Sequence, residues 1–242
     1  MVAVSAVSGG EPAIRTALGL AARFGSHVEV LHVRADPRSA MPYMGEGMSG
    51  AAIQEIMEVS EQDEAAHSAE LHALFDSLCG EQKITLSDSP ADGGPVGPTA
   101  AWREEVGQDD QIIASLGRLA DLVVVARPDE SEGPAAHLII EAALFESGRP
   151  VLIVPHSPPP ETGERVALAW NDSIEASRAV AAAMPVLRGA GEVIVLRARE
   201  KISAEDKKAA SGEADDLVRY LAWNGIAAEA IISPFASKAT PD

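Results

Sequence analysis

Two stretches of this chain, roughly 163–165 positions apart, carry the same succession of patterns. Residues 165–200 run R-VALAW-NDSIEASRAVAAAMPVLRGAG-EVIVLRARE, and residues 2–35 run VAVSAV-SGGEPAIRTALGLAARFGS-HVEVLHVRA. Each is an apolar run, a polar turn, a helix pattern and a second apolar run. A repeat this long is one supersecondary unit written twice, and a strand-turn-helix-strand unit belongs to a parallel α/β module. The first copy continues through further strand signals at 122–126 and 151–154, whereas the second reaches Asp242 before their equivalents. The expected architecture is a doubly wound parallel sheet followed by an incomplete second copy.

Composition narrows the function classes. Aromatic residues are only 4% of a chain that is 46% hydrophobic, so Ala, Val, Leu and Ile must fill the core, as in a parallel sheet covered by helices. The net charge is −18 and it is uneven: residues 1–155 carry 24 Asp and Glu against 9 Lys and Arg, a net of −15, and residues 156–242 carry 13 against 10, a net of −3. Nucleic acid and anionic membrane surfaces both demand the opposite sign, so neither is an expected partner. The lone cysteine, Cys79, excludes an internal disulfide and a multi-cysteine metal site. It sits among Leu74, Phe75 and Leu78 at the end of a helix pattern, where a buried structural thiol is expected. With no secretory signal and no apolar run near the ~18 residues of a membrane span, the expected location is the cytoplasm.

Periodicity gives strands at 2–7, 28–33, 84–86, 122–126 and 151–154, and helices at 11–24, 51–78, 109–119 and 135–147. Residues 36–50, with Met41, Tyr43, Met44 and Met48, and residues 87–99 read as loops. The three prolines of 156–164 stiffen a linker. The second copy supplies strands at 166–170, 193–197 and 228–232 and helices at 174–187 and 205–223. The domains are therefore 1–155, the linker 156–164, and 165–242. His67 and His72, five apart on the long helix, do not share a face, and with Glu64 and Glu70 they read as a solvated surface. His27 and His32 point to opposite faces of their strand. Gly9 and Gly10 lack the third glycine of a dinucleotide fingerprint. No Walker A, Gly-x-Ser-x-Gly or His-Glu-x-x-His pattern occurs, and neither catalytic residues nor a metal site are expected.

With these residues in place, the chain resembles a tandem universal stress protein. The resemblance is carried by VALAWNDSIEASRAV at 166–180, and by ADLVVVA at 120–126 followed by SGRPVLIVP at 147–155. It implies a five-stranded parallel sheet in the order 3-2-1-4-5. In nucleotide-binding members of the family a polar residue after the first strand meets the adenosine, and a Gly-x-x-Gly loop followed by Gly-Ser/Thr holds the phosphates through backbone N–H groups. The segment at that place here, RPDESEGP at 127–134, has one glycine, two prolines and three carboxylates. Those charges would repel a phosphate chain, leaving Arg127 as the obvious partner for it. The downstream Gly-Ser/Thr is replaced near His137 and Leu138. After the first strand stand Ser8, Gly9 and Gly10, with no Asp. In the second copy Asn171, Asp172 and Ser173 take the place of the family's Asp-Gly-Ser turn. Asn171 and Ser173 are accordingly the candidate ligand-binding residues, while a helix cap is the competing role of Asp172 or Ser173. The resemblance implies a stress-response type protein that is not an enzyme. It has degenerate nucleotide sites, holds no cofactor and acts through protein contacts as a homo-oligomer. The alternative is a module that binds ATP or adenosine at Asn171 and Ser173. Strand 166–170, with no blocking charge or proline between Val166 and Trp170, is expected to need a cover, supplied by a second copy of the chain.

Overall fold

The computed structural model of the protein describes residues 1–36, 50–90, 94, 97–128, 134–158, 162–199 and 204–234. The chain separates into two compact units, Met1–Pro159 and Pro160–Asp242.

In the first unit β1 (Val2–Val4), α1 (Val7–Phe24), β2 (His27–Arg34), α2 (Gly50–Gln82), β3 (Thr85–Leu86) and β4 (Thr99–Val106) come first. They are followed by α3 (Asp109–Gly117), β5 (Val123–Ala126), α4 (Pro134–Glu141), a π-helical turn at Ala142–Glu146, and β6 (Val151–Val154). The strands are parallel and lie in the order β3-β4-β2-β1-β5-β6. From β1 the chain steps outward through β2 to β4, then returns across the sheet to β5 and β6. Right-handed crossovers place α1 and α2 on one face and α3 and α4 on the other.

The period of two along each strand sorts its side chains between those layers. Val2, Val4, Val28, Val30, Val124 and Val154 face α1 and α2, where they meet Ile14, Leu18, Phe75, Leu78 and Cys79. Ala3, Leu31, Val123 and Val125 face the other way, onto Ile112, Ile113, Leu116, Ile139 and Ala143. α1 buries Ala13, Ile14, Ala17, Leu18 and Ala21 at helical spacing and ends at Gly25, whose φ of 62° is the left-handed value that closes a helix.

The sheet keeps the expected order, but its third place is filled by a strand the periodicity did not reveal. Thr99–Val106 lies where a loop ending at 99 and an unassigned stretch were expected. The signal at 84–86 yields only Thr85–Leu86, both exposed, on the outer side of β4. The sequence TAAWREEV reads as too charged for a strand, and cross-strand pairing resolves the conflict. Arg103 reaches Glu29 of β2 at 3.6 Å and Glu105 at 2.7 Å, and Glu104 meets Arg34 of β2 at 3.0 Å. The long helix also differs from expectation. α2 buries Ser68, Leu71, Phe75, Leu78 and Cys79, but Ile56 and Val59 in its first half are exposed, so its apolar stripe meets the sheet only through the second half.

The second unit holds β7 (Arg165–Ala169), α5 (Ile174–Arg188), β8 (Glu192–Arg199), α6 (Ala204–Trp223) and β9 (Glu229–Pro234). The three strands are parallel in the order β7-β8-β9. Both crossovers step in the same direction, so α5 and α6 lie on the same face. That face packs Leu168, Val193 and Val195 against Val180, Met184, Leu187, Leu217 and Leu221. The opposite face carries Ala167 and Ala169 of β7, Ile194 and Leu196 of β8, and Ile231 of β9, together with Glu229 and the Arg165–Glu192 ion pair. Leu31, the repeat counterpart of Leu196 in the first unit, is 0% exposed beneath α3, whereas Leu196 is 36% exposed and Ile231 42%.

Candidate functional site

In an open doubly wound sheet the ligand crevice lies beyond the carboxyl ends of the strands where the winding reverses. Here that place is between β1 and β5. A cavity of about 30 Å³ lies there, lined by Val4, Ser5, Gly9, Gly10 and Ala126 among others. This is room for about one water molecule, far below the ~300 Å³ at which small-molecule pockets begin. The reason is local. Only Ser5 and Ala6 connect β1 to α1, so the first helical turn sits directly on the end of β1. Gly9 lets it come that close, since a Cβ at this position would lie 3.0 Å from the Cβ of Ala126. Gly9, which fails with Gly10 as a dinucleotide fingerprint, therefore has a packing role.

Beside the crevice, two imidazoles hold the end of β1. The Nδ1–H of His32, buried on β2, donates to the Val4 carbonyl at 3.1 Å, and the Nε2–H of His67 on α2 donates to the Ser5 carbonyl at 2.9 Å. The rings are 5.8 Å apart in an edge-to-face arrangement, and Trp102 of β4 lies 5.9 Å from His32 and stacks on His72 at 5.0 Å. His67 is thus tied to the sheet rather than part of a solvated surface. His27 is exposed and meets the Thr99 hydroxyl at 2.9 Å, on the strand face opposite His32. Sequence spacing within one helix could not bring His32, His67 and Trp102 together, because they come from three different elements.

The charged groups at this edge have opposite tendencies. A hydrogen bond from the Ser68 hydroxyl, with Arg34 in support, holds the Glu104 carboxyl below its ordinary range. Burial pushes the Asp109 carboxyl up; His32 opposes the rise, while Asp110 and Glu64 add to it. The two groups have opposite pH signs. Stability from Glu104 is present above the unfolded carboxylate range and is lost as pH falls through its lower folded value. Stability from Asp109 is present below the unfolded range and is lost as pH rises through its higher folded value. Burial also raises the Cys79 thiol to about 11, with Asp76 adding to the effect, so Cys79 stays protonated and unreactive near neutrality. Among the described residues no group of three His, Cys, Asp or Glu side chains could hold a metal ion.

In the second unit a four-residue turn, Trp170 to Ser173, joins β7 to α5. Ser173 is the N-cap of α5: its hydroxyl accepts from the Ala176 N–H at 3.1 Å, a contact contributing about 1 kcal/mol. The Oδ1 of Asn171 accepts from the Ser173 N–H at 3.2 Å. Asp172 has a φ of 62°, the left-handed conformation that glycine adopts without strain. Asp172 thus adopts without glycine a backbone shape that glycine favours. The turn brings Asn171 and Ser173 together, and both side chains are engaged in shaping the turn itself. Arg127 is exposed, and its N–H donates to the Val154 carbonyl at 2.7 Å. The expected carboxylate-rich segment, 129–133, and the methionines of 41–48 lie outside the described residues. No helix among the described residues is long and apolar enough to cross a membrane.

The sequence matches no protein-family model and no curated protein. Solved structures do match the fold. A universal stress protein from Archaeoglobus fulgidus DSM 4304 superposes with a TM-score of 0.58 at 15% sequence identity, over 97% of this chain and 77% of that one. A hypothetical protein gives a TM-score of 0.39 at 12% identity, over 65% of this chain and 96% of its own. The chain has the parallel α/β fold seen in that universal stress protein.

Proposed function

We propose that the protein is a non-enzymatic, stress-response type protein that acts through protein–protein contacts, with nucleotide sites that have degenerated. The observation that carries this reading is the uncovered sheet face of the second unit. Ala167, Ala169, Ile194, Leu196 and Ile231 form a mainly apolar surface, with Glu229 beside Ile194, on which no helix lies among the described residues. Among the described residues β7 also pairs only with β8, leaving the backbone groups of its other edge available. A second copy of the chain is the occupant that charge favours. Copies meeting through residues 1–155 would set −15 against −15, while copies meeting through residues 156–242 set only −3 against −3. Leu196→Glu places a carboxylate in that contact without touching the α5–α6 core. Sedimentation at micromolar concentration is expected to show a dimer for the parent. The variant should be weakened by a factor of about 30 or more, from the ~2 kcal/mol or more of burying an unpaired charge. Association should strengthen with added salt, which screens the remaining like charges. A monomeric parent, or a variant that dimerises equally well, overturns the reading.

For the first unit, the absence of a ligand role is supported by the small crevice and by Gly9 packed on Ala126. For the second, the engagement of Asn171 and Ser173 within their own turn weighs against the alternative of ATP or adenosine binding there. Titration of the full chain with labelled ATP and Mg²⁺ is expected to give no saturable binding at micromolar concentration. Saturation that disappears in Asn171→Ala would establish the alternative instead.

A further inference from the structure

α2 is longer than the sheet it covers. It has 33 residues, about 50 Å at the rise of a helix, whereas β2 and β4 have 8 residues each, about 26 Å at the rise of a strand. Two contacts fix where the helix passes the end of the sheet. His67 donates to the Ser5 carbonyl at 2.9 Å, and the Ser68 hydroxyl donates to Glu104, two residues before the end of β4. The remaining strand residues span about 7 Å, the rise of about four helical residues. Residues 50–63 therefore run on past the carboxyl ends of the strands.

This projecting part keeps the pattern of a contact face. Ile53, Met57 and Ser60 continue backward the three- and four-residue spacing on which Ser68, Leu71, Phe75 and Leu78 are buried. Ile56, 43% exposed, and Val59, 52% exposed, widen that line on one side. A helical segment of this length is marginal by itself in water. Apolar residues at helical spacing that are left in solvent there point to a second helix.

Charge says what kind of helix. α2 contains no Lys or Arg. Glu55 and Asp63 lie one turn to either side of Val59, and Glu61 lies one turn from Met57, so acids border the apolar line. The field is also negative where the helix leaves the sheet. Burial pushes the Asp109 carboxyl up, and although His32 opposes this, Asp110 and Glu64 add to it. Arg34, at the end of β2, is engaged by Glu104 at 3.0 Å. A second copy of α2 would set acid against acid, and nucleic acid or an anionic membrane would be repelled. A polypeptide that carries Lys and Arg beside apolar residues satisfies both the stripe and its border.

We propose that residues 50–63 of α2 are a docking surface for a basic amphipathic helix of another protein. Ile53, Ile56, Met57 and Val59 meet the apolar side chains of that helix, and Glu55, Glu61 and Asp63 meet its Lys and Arg. The surface is independent of the proposed self-association, which uses the second unit.

Fluorescence anisotropy on the full chain tests this with a labelled peptide of Leu and Lys whose leucines recur at three- and four-residue spacing. The peptide is expected to bind saturably and more weakly as salt is added, the reverse of the salt response expected for self-association. A peptide of the same composition in scrambled order should bind about tenfold more weakly, and a Leu–Glu peptide of the original pattern should not bind. Ile56→Ser combined with Val59→Ser should weaken binding about tenfold. Glu55→Gln combined with Glu61→Gln and Asp63→Asn should weaken it at least about threefold. These side chains are exposed, so the urea midpoints of both variants should stay near that of the parent. Leu196→Glu should bind the peptide as the parent does. Equal affinity for the scrambled peptide, or undiminished binding by the Ile56→Ser and Val59→Ser protein, overturns the proposal. Loss of the sedimentation dimer in that protein overturns it too, because a second copy would then be the occupant. Amide exchange gives a further reading on the unmodified chain. The Leu–Lys peptide should slow exchange in residues 53–63 and leave α6 unchanged, and no slowing in residues 53–63 contradicts the docking surface.

Discussion

Val124→Asp is expected to yield no folded first unit. Val124 is 3% exposed at the centre of β5, with Val2 of β1 and Leu152 of β6 as its Cα partners, and its side chain lies in the layer beneath α1. An aspartate there has no partner, and burying it costs several kcal/mol whether it stays charged or takes up a proton. Total stability for a domain of this size is about 5–15 kcal/mol, so one such change consumes most of it. The check is thermal unfolding by circular dichroism beside Val124→Ala, which should retain a cooperative transition. A soluble Val124→Asp protein that unfolds cooperatively would mean that β5 does not occupy the middle of the sheet.

Phe75→Ala is expected to lower stability by about 3–5 kcal/mol through lost transfer energy and a residual cavity. Phe75 is 1% exposed, on the half of α2 that meets the sheet, with Trp102 at 5.8 Å and Leu78 and Cys79 in the same cluster. Urea unfolding followed by tryptophan emission should show a lower midpoint with an unchanged slope. Ile56→Ala, by contrast, removes a side chain that is 43% exposed and should alter the midpoint little. A loss below about 1 kcal/mol for Phe75→Ala would show that α2 is not anchored through this residue.

The sheet was legible in the sequence where its strands are continuous apolar runs. Val123–Val125 and Val151–Val154 are covered on both faces and need no alternation. β4 was not legible, because Arg103 and Glu104 find their partners on β2, at positions far away in sequence, while Glu105 is held by Arg103 beside it. The exposed first half of α2 was misread for a related reason: a helical stripe of Ile53, Ile56 and Met57 signals an apolar face, but periodicity does not say whether a neighbour reaches it. At the candidate site, the turn at Asn171–Ser173 and its capping role could be read from residue types alone. The imidazole pair could not, since His32 and His67 meet only because β2 and α2 both converge on the end of β1. The role of Gly9 was equally hidden, as its contact with Ala126 exists only once the winding reverses.

That reversal also sets the order in which the chain can complete itself during synthesis. In the second unit every strand pairs with its nearest neighbour along the sequence, so its sheet can assemble as each strand emerges. In the first unit Val2 must wait for Val124, a closure across nearly the whole unit that is entropically costly and kinetically late. Until the ribosome has released β5, the nascent chain exposes one side of β1 as an apolar strand with unpaired backbone groups. Such an intermediate is the kind that aggregates unless it is shielded. The interval before β5 emerges is therefore one in which the first unit is exposed to aggregation.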